Sequence, residues 1–534
     1  LQVFSRTCKE QTCIIKIIPP AAYDCGGDLY MAERKSGMRI LENLEPQNVF
    51  YYFEEICKIP HGSGNTRQIS DYLKAFADEH GLYCRQDELN NIIMIKEASK
   101  GYEDHEPVLL QGHMDMVAVK DADCTIDMTK DGLQLEILGD RLTAKGTSLG
   151  GDDGIAVAFA LALLAGEEYR HPRIELILTV DEEVGMEGAT GLTVDDLTAK
   201  RMINLDQEEE KIFITGCAGG ARIDIRKKTE TEQVKGVLCK LKISGLQGGH
   251  SGQEINKERG NAICLMGRLL AALQEKTPVY LKEVSGGTAD NAIPNEVCAE
   301  IVVTEWTEDV AAFMEEQFCG IKAEFAGKED GLNCNLQICG ENTAVHVCTG
   351  TEEKKMNTKP WMVCSRKDSR QWIHLLNVIP HGVIANSVKM KGLVETSLNP
   401  GILIVSTAEG MVSTSVRSSN TAAKEALINQ LKSLAALCNA TIGIRGDYPG
   451  WDYDPDSPLR EKMVAIYEEM YGVKPQIEAI HAGLECGIFQ SKIPGLDCVS
   501  IGPDMQDIHT TRETLSIPSV QRVWKFLLKV LESL

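Results

Sequence analysis

The stretch Ile174-Glu-Leu-Ile-Leu-Thr-Val180-Asp181-Glu182-Glu183 is apolar almost throughout and stops on three consecutive acids. A solvated charge run is the ordinary explanation of such a triplet. Against it, the carboxyl ends of strands in a parallel sheet are where sites gather. Val108–Gln111 and Met202–Leu205 have the same texture, and Asn91–Ile95 is a fourth strand-like run. Near-continuous apolar runs of this length fit strands covered by helices on both faces. The apolar helix Ile155–Leu164 falls between them in sequence. This region therefore reads as an α/β layer with a mostly parallel sheet flanked by helices.

Outward from that layer, Val49, Phe50, Phe53, Ile56 and Cys57 recur at helical spacing. A turn at His61-Gly-Ser-Gly then leads to a second helix with Ile69, Tyr72, Leu73 and Phe76. After Gly219 the pattern changes to alternating strands (Val237–Ser244, Val297–Val303, Leu336–Cys339) mixed with helices over Asn261–Gln274 and Val310–Phe325. Within this part Asn291-Ala-Ile-Pro-Asn echoes Asn377-Val-Ile-Pro-His, which suggests two halves, and the polar segment Thr343–Arg366 is expected to loop out. From Tyr448 the first texture returns, with a helix near Leu459–Met470, a strand near Val499–Ile501 and a last helix over Ser519–Leu531. The predicted organisation is a discontinuous catalytic domain, 38–218 and 448–534, interrupted by an α+β lid domain, 219–447. Residues 1–37 hold three cysteines and no periodicity ahead of Met38, and read as a tail outside the fold or as upstream sequence.

The chain has 534 residues, 43% apolar and 25% charged, enough for two or three domains and unlike a disordered or collagenous composition. Its net charge of −23 would be repelled by phosphate backbones and anionic bilayers, so neither nucleic acid nor membrane is an expected partner. No apolar run reaches the ~18–20 residues of a membrane span, and no secretory signal is visible. The 18 cysteines are scattered without a CxxC, which fits reduced thiols in a cytoplasmic protein.

Four short stretches place metal-capable side chains where a strand stops or a helix begins. In Leu109-Leu-Gln-Gly-His113-Met-Asp115, the His and Asp two apart share one side of an extended chain. Taken alone, His113 is more often a satisfied core histidine than a ligand. In Gly146-Thr-Ser-Leu-Gly-Gly-Asp152-Asp153-Gly, the bland reading is a helix cap. The sharper reading is a carboxylate pair that needs a cation. The lysine of a phosphate loop is missing there. The acidic triplet Asp181–Glu183 and the strand end Asn204-Leu-Asp206 complete the set. Each signal is weak, but all four border one layer and can converge. Histidine and carboxylates without thiolates suit catalytic zinc or manganese. Two such ions ~3.5–4 Å apart would share a carboxylate and activate a bridging water, with a further glutamate taking its proton.

Together with Gly248-Gly-His250-Ser-Gly, Gly216-Cys-Ala-Gly-Gly, Tyr448-Pro-Gly-Trp and Ile480-His-Ala-Gly-Leu-Glu-Cys-Gly, these motifs resemble the co-catalytic zinc peptidases of the carnosinase and aminoacylase group. Within that group the likeness is greatest to the bacterial aminoacyl-histidine (Xaa-His, β-alanyl-histidine) dipeptidases, and it spans Pro46 to the C-terminus. The resemblance implies one Zn2+ on His113 and Asp206, a second on Glu183 and His509, and Asp152 bridging them, with Mn2+ or Co2+ as substitutes. It implies a cis peptide at Asp152–Asp153, Glu182 as general base, Asp115 orienting His113, and His250 stabilising the oxyanion. Arg417 would grip the carboxylate of a small peptide substrate, and a closing lid would mediate a homodimer. The family pattern after the last metal histidine is Ser-Pro-x-Glu, whereas Thr-Thr-Arg-Glu513 follows His509 here. His481 is accordingly a rival ligand. The resemblance favours His509, with His481 and Glu485 lining the substrate pocket. A deacylase or tripeptidase on the same scaffold is the alternative activity. A non-catalytic metal- or peptide-binding protein is the alternative class, and no ligand or base is missing in the way that class would require.

Overall fold

The computed structural model describes residues 39–339 and 358–534. Its central sheet has eight strands in the order Tyr83–Gln86, Ile92–Lys96, Ile174–Thr179, Val108–His113, Arg201–Asn204, Asp497–Ser500, Ile212–Cys217, Gln476–Ile480. The four strands from Ile174–Thr179 to Asp497–Ser500 run parallel. Ile92–Lys96 and Tyr83–Gln86 are antiparallel additions at one edge. At the other edge Ile212–Cys217 is antiparallel to Asp497–Ser500 but parallel to Gln476–Ile480. The sheet is thus mostly parallel, and a short hairpin adds the antiparallel strands at the first edge without a crossover.

Period-two alternation splits the strand residues between two cores. Leu110, Leu176, Leu178 and Ile203 face one core with the helices Gln47–Ile56, Gly151–Ala165 and Ile517–Ser533. Leu109, Ile177 and Met202 face the other with the helix Glu485–Lys492. The Gly151–Ala165 helix is apolar on all sides because it is buried on all sides. Its Phe159 stacks on Trp524 with ring centroids 5.6 Å apart, and burying such a phenylalanine side chain stabilises by roughly 1.5–3 kcal/mol.

The chain leaves this sheet after Ile212–Cys217 and enters a second, ten-stranded antiparallel sheet with Gly219–Lys228. It leaves the second sheet through Thr441–Tyr448, an edge strand, and Trp451 exchanges two 2.9 Å backbone hydrogen bonds with Cys217, so the two crossings lie side by side. The second core lies between this sheet and the helices Ala262–Gln274, Arg366–Val378 and Thr421–Leu437. Asn261 caps the first of these, its side chain accepting from Cys264 N.

Two expectations are corrected here. Lys359–Cys364 is a strand paired with Thr231–Ser244 rather than part of a loop; residues 340–357 of the same polar segment, and the tail 1–37, lie outside the described residues. The Asn-x-Ile-Pro echo precedes a strand at both places, Val297–Val303 and Gly382–Asn386, yet the conformation of the echo itself is not repeated. Ala292–Ile293 pairs with Gly249–His250 as a strand, whereas Asn377 and Val378 end a helix, because the same tetrapeptide takes its conformation from what precedes it. Among the described residues no helix is long and apolar enough to cross a membrane, and the cysteines whose side chains are described are free thiols.

Candidate metal centre and substrate site

The strand ends bring the separated motifs together. His113 closes its strand and is buried; its Nε2 lies 3.1 Å from Asp152 Oδ1 and 3.5 Å from Asp206 Oδ1. The other Asp152 oxygen, Oδ2, lies 3.2 Å from His509 Nε2, which is also 2.8 Å from Glu183 Oε1. Asp152 therefore turns one oxygen to each histidine. The first turn of its helix departs from helical dihedrals, with φ −84° and ψ 107° at Asp152, and the Asp152–Asp153 peptide is cis. His481 is elsewhere, its Nε2 2.7 Å from Ser397 Oγ.

The donor set fits a pair of divalent cations. Glu183 Oε1 is buried 2.8 Å from His509 Nε2, and the two face the Asp152 carboxylate together. Donor atoms of His113, Asp153 and Asp206, of His113, Glu182 and Glu183, and of Asp152, Glu183 and His509 each fall within 4.8 Å of one another. The histidines and carboxylates of the shell shift one another's protonation. Hydrogen bonds that the His509 ring donates to Asp152 and Glu183 push it up to about 10. Burial, reinforced by the Asp152 charge, pushes Asp206 up to about 7. Burial works against charge on His113, but Asp115, Asp152 and Asp206 outweigh it and hold that ring well above its usual range. Asp153 sits beneath the shell. It accepts the His113 backbone N–H at 3.1 Å, and burial drives its carboxyl well above the usual range. Gly112 makes room for it, since a Cβ there would stand 2.4 Å from Asp153 Oδ2 and 2.7 Å from Ala156 Cβ.

Asp115 contacts the His113 ring mainly through its backbone. His113 Nδ1 is 2.9 Å from the Asp115 carbonyl and 3.5 Å from its carboxylate, so the carbonyl selects the tautomer that leaves Nε2 free for a metal. The carboxylate instead accepts Ser63 Oγ at 2.8 Å and the Glu182 N–H at 3.2 Å. Ser63 belongs to the His61–Gly64 turn, whose Gly64 N–H also binds Asp181 at 2.6 Å. Sequence alone marks those residues only as a turn. Asp181 and His509 both have left-handed backbones, φ 57° and 60°. Such strain outside glycine is concentrated at functional sites.

A second cluster gathers around Gly252, where a Cβ would meet His481 O at 2.6 Å, His250 Cε1 at 3.0 Å and Arg417 Nε at 3.3 Å. His250 Nδ1 accepts the N–H groups of Gly252 and Gln253 at 3.3 and 3.1 Å, which puts the proton of the neutral ring on Nε2. Burial and then the Arg417 charge lower its pKa, so the neutral ring is the favoured one. Arg417 Nη1 is 3.4 Å from Tyr448 Oη, and that hydroxyl feels the charges of both Arg417 and Glu182. Arg417 Nε and His481 Nδ1 are buried without hydrogen-bond partners.

Glu485 departs from expectation. It is fully buried and does not line a pocket; its Oε2 accepts Gln111 Nε2 and Thr179 Oγ1, each at 2.6 Å. Its motif placed it beside His481, but Glu485 bonds to the strands of the central sheet whereas His481 reaches Ser397 of the second sheet. Glu513 also has a definite place, accepting the N–H groups of Leu149, Gly150 and Gly151 at 2.8, 3.2 and 2.8 Å.

An α/β sheet with histidines and carboxylates converging at its strand ends defines a metal-dependent hydrolase. Residues 109–533 match the family described as Peptidase family M20/M25/M40, and the chain belongs to that family of metallopeptidases. It is 38% identical over 500 residues to the cytosol non-specific dipeptidase of Escherichia coli (strain K12), covering 93% of this chain and 99% of that protein. The crystal structure of an aminoacylhistidine dipeptidase from Vibrio alginolyticus superposes with a TM-score of 0.84 at 34% identity, over 92% of this chain and 98% of the other. A Staphylococcus aureus tripeptidase shares the fold at a TM-score of 0.51 and 15% identity, over 92% of this chain and 98% of that one.

Proposed function

We propose that this enzyme hydrolyses the peptide bond of unblocked dipeptides, Xaa-His peptides of the carnosine type among them. The reading rests most on one observation, the Asp152 carboxylate facing His113 with one oxygen and His509 with the other. It is supported by the two dipeptidase relatives, which this chain matches over nearly their whole length.

His113 and Asp206 would hold one ion, Glu183 and His509 the other, and Asp152 both; zinc suits the donors, with Mn2+ or Co2+ as substitutes. Bound there, a pair of cations supplies Lewis acidity, lowering the pKa of a water towards ~7 and polarising the scissile carbonyl. Glu182, held by Asp115 through its N–H, takes the proton of the attacking water and returns it to the leaving amine. Burial and neighbouring carboxylates push its own carboxyl well above the usual range, which suits a proton carrier. His250 offers its Nε2–H to the oxygen that gains charge. Arg417 binds the substrate carboxylate, where its fork is suited to paired hydrogen bonds.

Residues 219–447 form the lid and 38–218 with 448–534 the catalytic domain in this reading. The second sheet between Gly219 and Tyr448 supports the division. A cytoplasmic location is supported by the absence of disulfides among the described cysteines and by the cytosol dipeptidase relative. A homodimer is supported by the open sheet edge at Thr441–Tyr448, which presents unpaired backbone groups.

The test is a panel of free dipeptides, tripeptides and N-acyl amino acids, assayed with and without a chelator. Chelator-sensitive cleavage confined to free dipeptides is expected. Preference for N-acyl amino acids would reassign the enzyme as a deacylase, and chelator-resistant cleavage would end the metal reading. Sedimentation of the intact protein should give twice the 58.7 kDa chain mass.

A further inference from the structure

Beneath the metal centre lies a line of buried polar side chains with no part in binding ions or substrate. Asn204 Nδ2 donates to Gln111 Oε1 at 2.6 Å, Gln111 Nε2 to Glu485 Oε2 at 2.6 Å, and Thr179 Oγ1 to the same Glu485 oxygen at 2.6 Å. Asn204 Oδ1 in turn accepts the Asp206 N–H at 3.3 Å. All four side chains are at most 1% exposed. Gln111 and Asn204 are register partners on adjacent parallel strands, and Thr179 is the register partner of His113.

Strand periodicity explains why these positions matter. Gln111 lies two residues before His113 in one strand and so shares its face, while Asn204 ends its strand two residues before Asp206 and holds that residue's N–H. Thr179 is the last strand residue before the turn that carries Glu182 and Glu183. Three neighbouring strand ends thus deliver most of the metal shell and the base, and one carboxylate from the Glu485–Lys492 helix ties them together. A buried donor left without an acceptor is destabilising. Removing Glu485 would strand the Gln111 amide and the Thr179 hydroxyl together, and their relief is to shift the strand ends.

We propose that Glu485 is a positioning residue, the anchor of a Thr179–Glu485–Gln111–Asn204 ladder that fixes the relative placement of His113, Asp206 and the Glu182–Glu183 turn. The proposal rests on the metallopeptidase reading above. Its test reads Zn2+ binding to the metal-free protein, by competition with a chromophoric chelator, beside steady-state kinetics on a dipeptide and thermal melting. Glu485→Leu fills the space without an acceptor. It is expected to weaken Zn2+ binding and to lower kcat by about 10–100-fold, the range for groups that support metal ligands, with KM near that of the unaltered enzyme. Glu485→Gln keeps an acceptor oxygen for both donors and should recover most of both quantities. Thr179→Val and Gln111→Leu should lose in the same direction as Glu485→Leu and combine with it less than additively.

A lower melting temperature in Glu485→Leu with Zn2+ affinity and kcat unchanged would overturn the proposal, as would a Glu485→Gln as impaired as Glu485→Leu. If Glu485→Leu fails to fold, Thr179→Val and Gln111→Leu decide, and wild-type Zn2+ affinity and kcat in both would overturn it. Absence of dipeptide cleavage by the unaltered protein would instead count against the proposed substrate and leave the Zn2+ comparison standing.

Discussion

The Asp115 carboxylate accepts the backbone N–H of Glu182 at 3.2 Å while its own carbonyl faces His113 Nδ1 at 2.9 Å. One residue therefore sets both the ring that would hold a metal and the glutamate that would move the proton. Asp115→Ala should lower kcat by about 10–100-fold. Asp115→Asn, which retains an acceptor for the Glu182 N–H, should lose less. Kinetics alongside metal analysis checks this; equal losses in the two variants would assign the effect to charge rather than to placement.

Glu182 neighbours a ligand group in space as well as in sequence. Glu182→Gln is expected to reduce turnover by about 10²–10⁴-fold, the range for general acid–base catalysis, with the metal content of the purified protein unchanged. Atomic-absorption analysis makes the distinction, since loss of an ion would make Glu182 a ligand and move the base role to Glu183.

Glu513 joins the His509 loop to the glycine turn before Asp152 through three backbone N–H groups. Glu513→Ala leaves those donors buried, so both stability and metal retention should fall. Dialysis against a weak chelator should strip the variant at a concentration that spares the unaltered protein. Equal retention would restrict Glu513 to a role in folding.

In the lid, Lys227 Nζ and Asp368 Oδ1 form a 2.7 Å ion pair with both side chains 5% exposed. Breaking a buried pair on one side typically costs about 3–5 kcal/mol, so Lys227→Met should destabilise the protein by that order in denaturant unfolding. A change below ~1 kcal/mol, the scale of an exposed pair, would show that Asp368 is sufficiently served by Glu230 N and Ser365 Oγ.

Asp224 gives an acid-limb prediction. Burial opposes its charge, but hydrogen bonds from Arg445, Ser413 and Arg226 hold it at about 2 instead of 3.8. A depressed carboxylate stabilises the fold above its unfolded pKa, and that contribution is lost as pH falls from about 4 through about 2. Asp224→Asn should therefore flatten the stability profile in that window while lowering stability at neutral pH. Parallel profiles for the two proteins would remove the pair from the acid response.

The strand runs ending at Gln111, Val180 and Leu205, the buried helix after Asp152 and the change of texture at Gly219 could all be read along the chain. Burial imposes periods of two and 3.6 on neighbouring residues, and those periods are local. The ligand types and their order were equally local, because each occupies a strand end or a helix start. Tertiary structure decided what lies across the sheet. Asp152 meets His509, 357 positions away, Glu485 passes beneath the metal centre instead of lining it, Ser63 reaches Asp115, and Lys359–Cys364, inside the segment expected to loop out, is a strand. Hydrophobic periodicity specifies which face of an element is buried but not which strand lies beside it. Contacts between side chains far apart in sequence follow from that strand order.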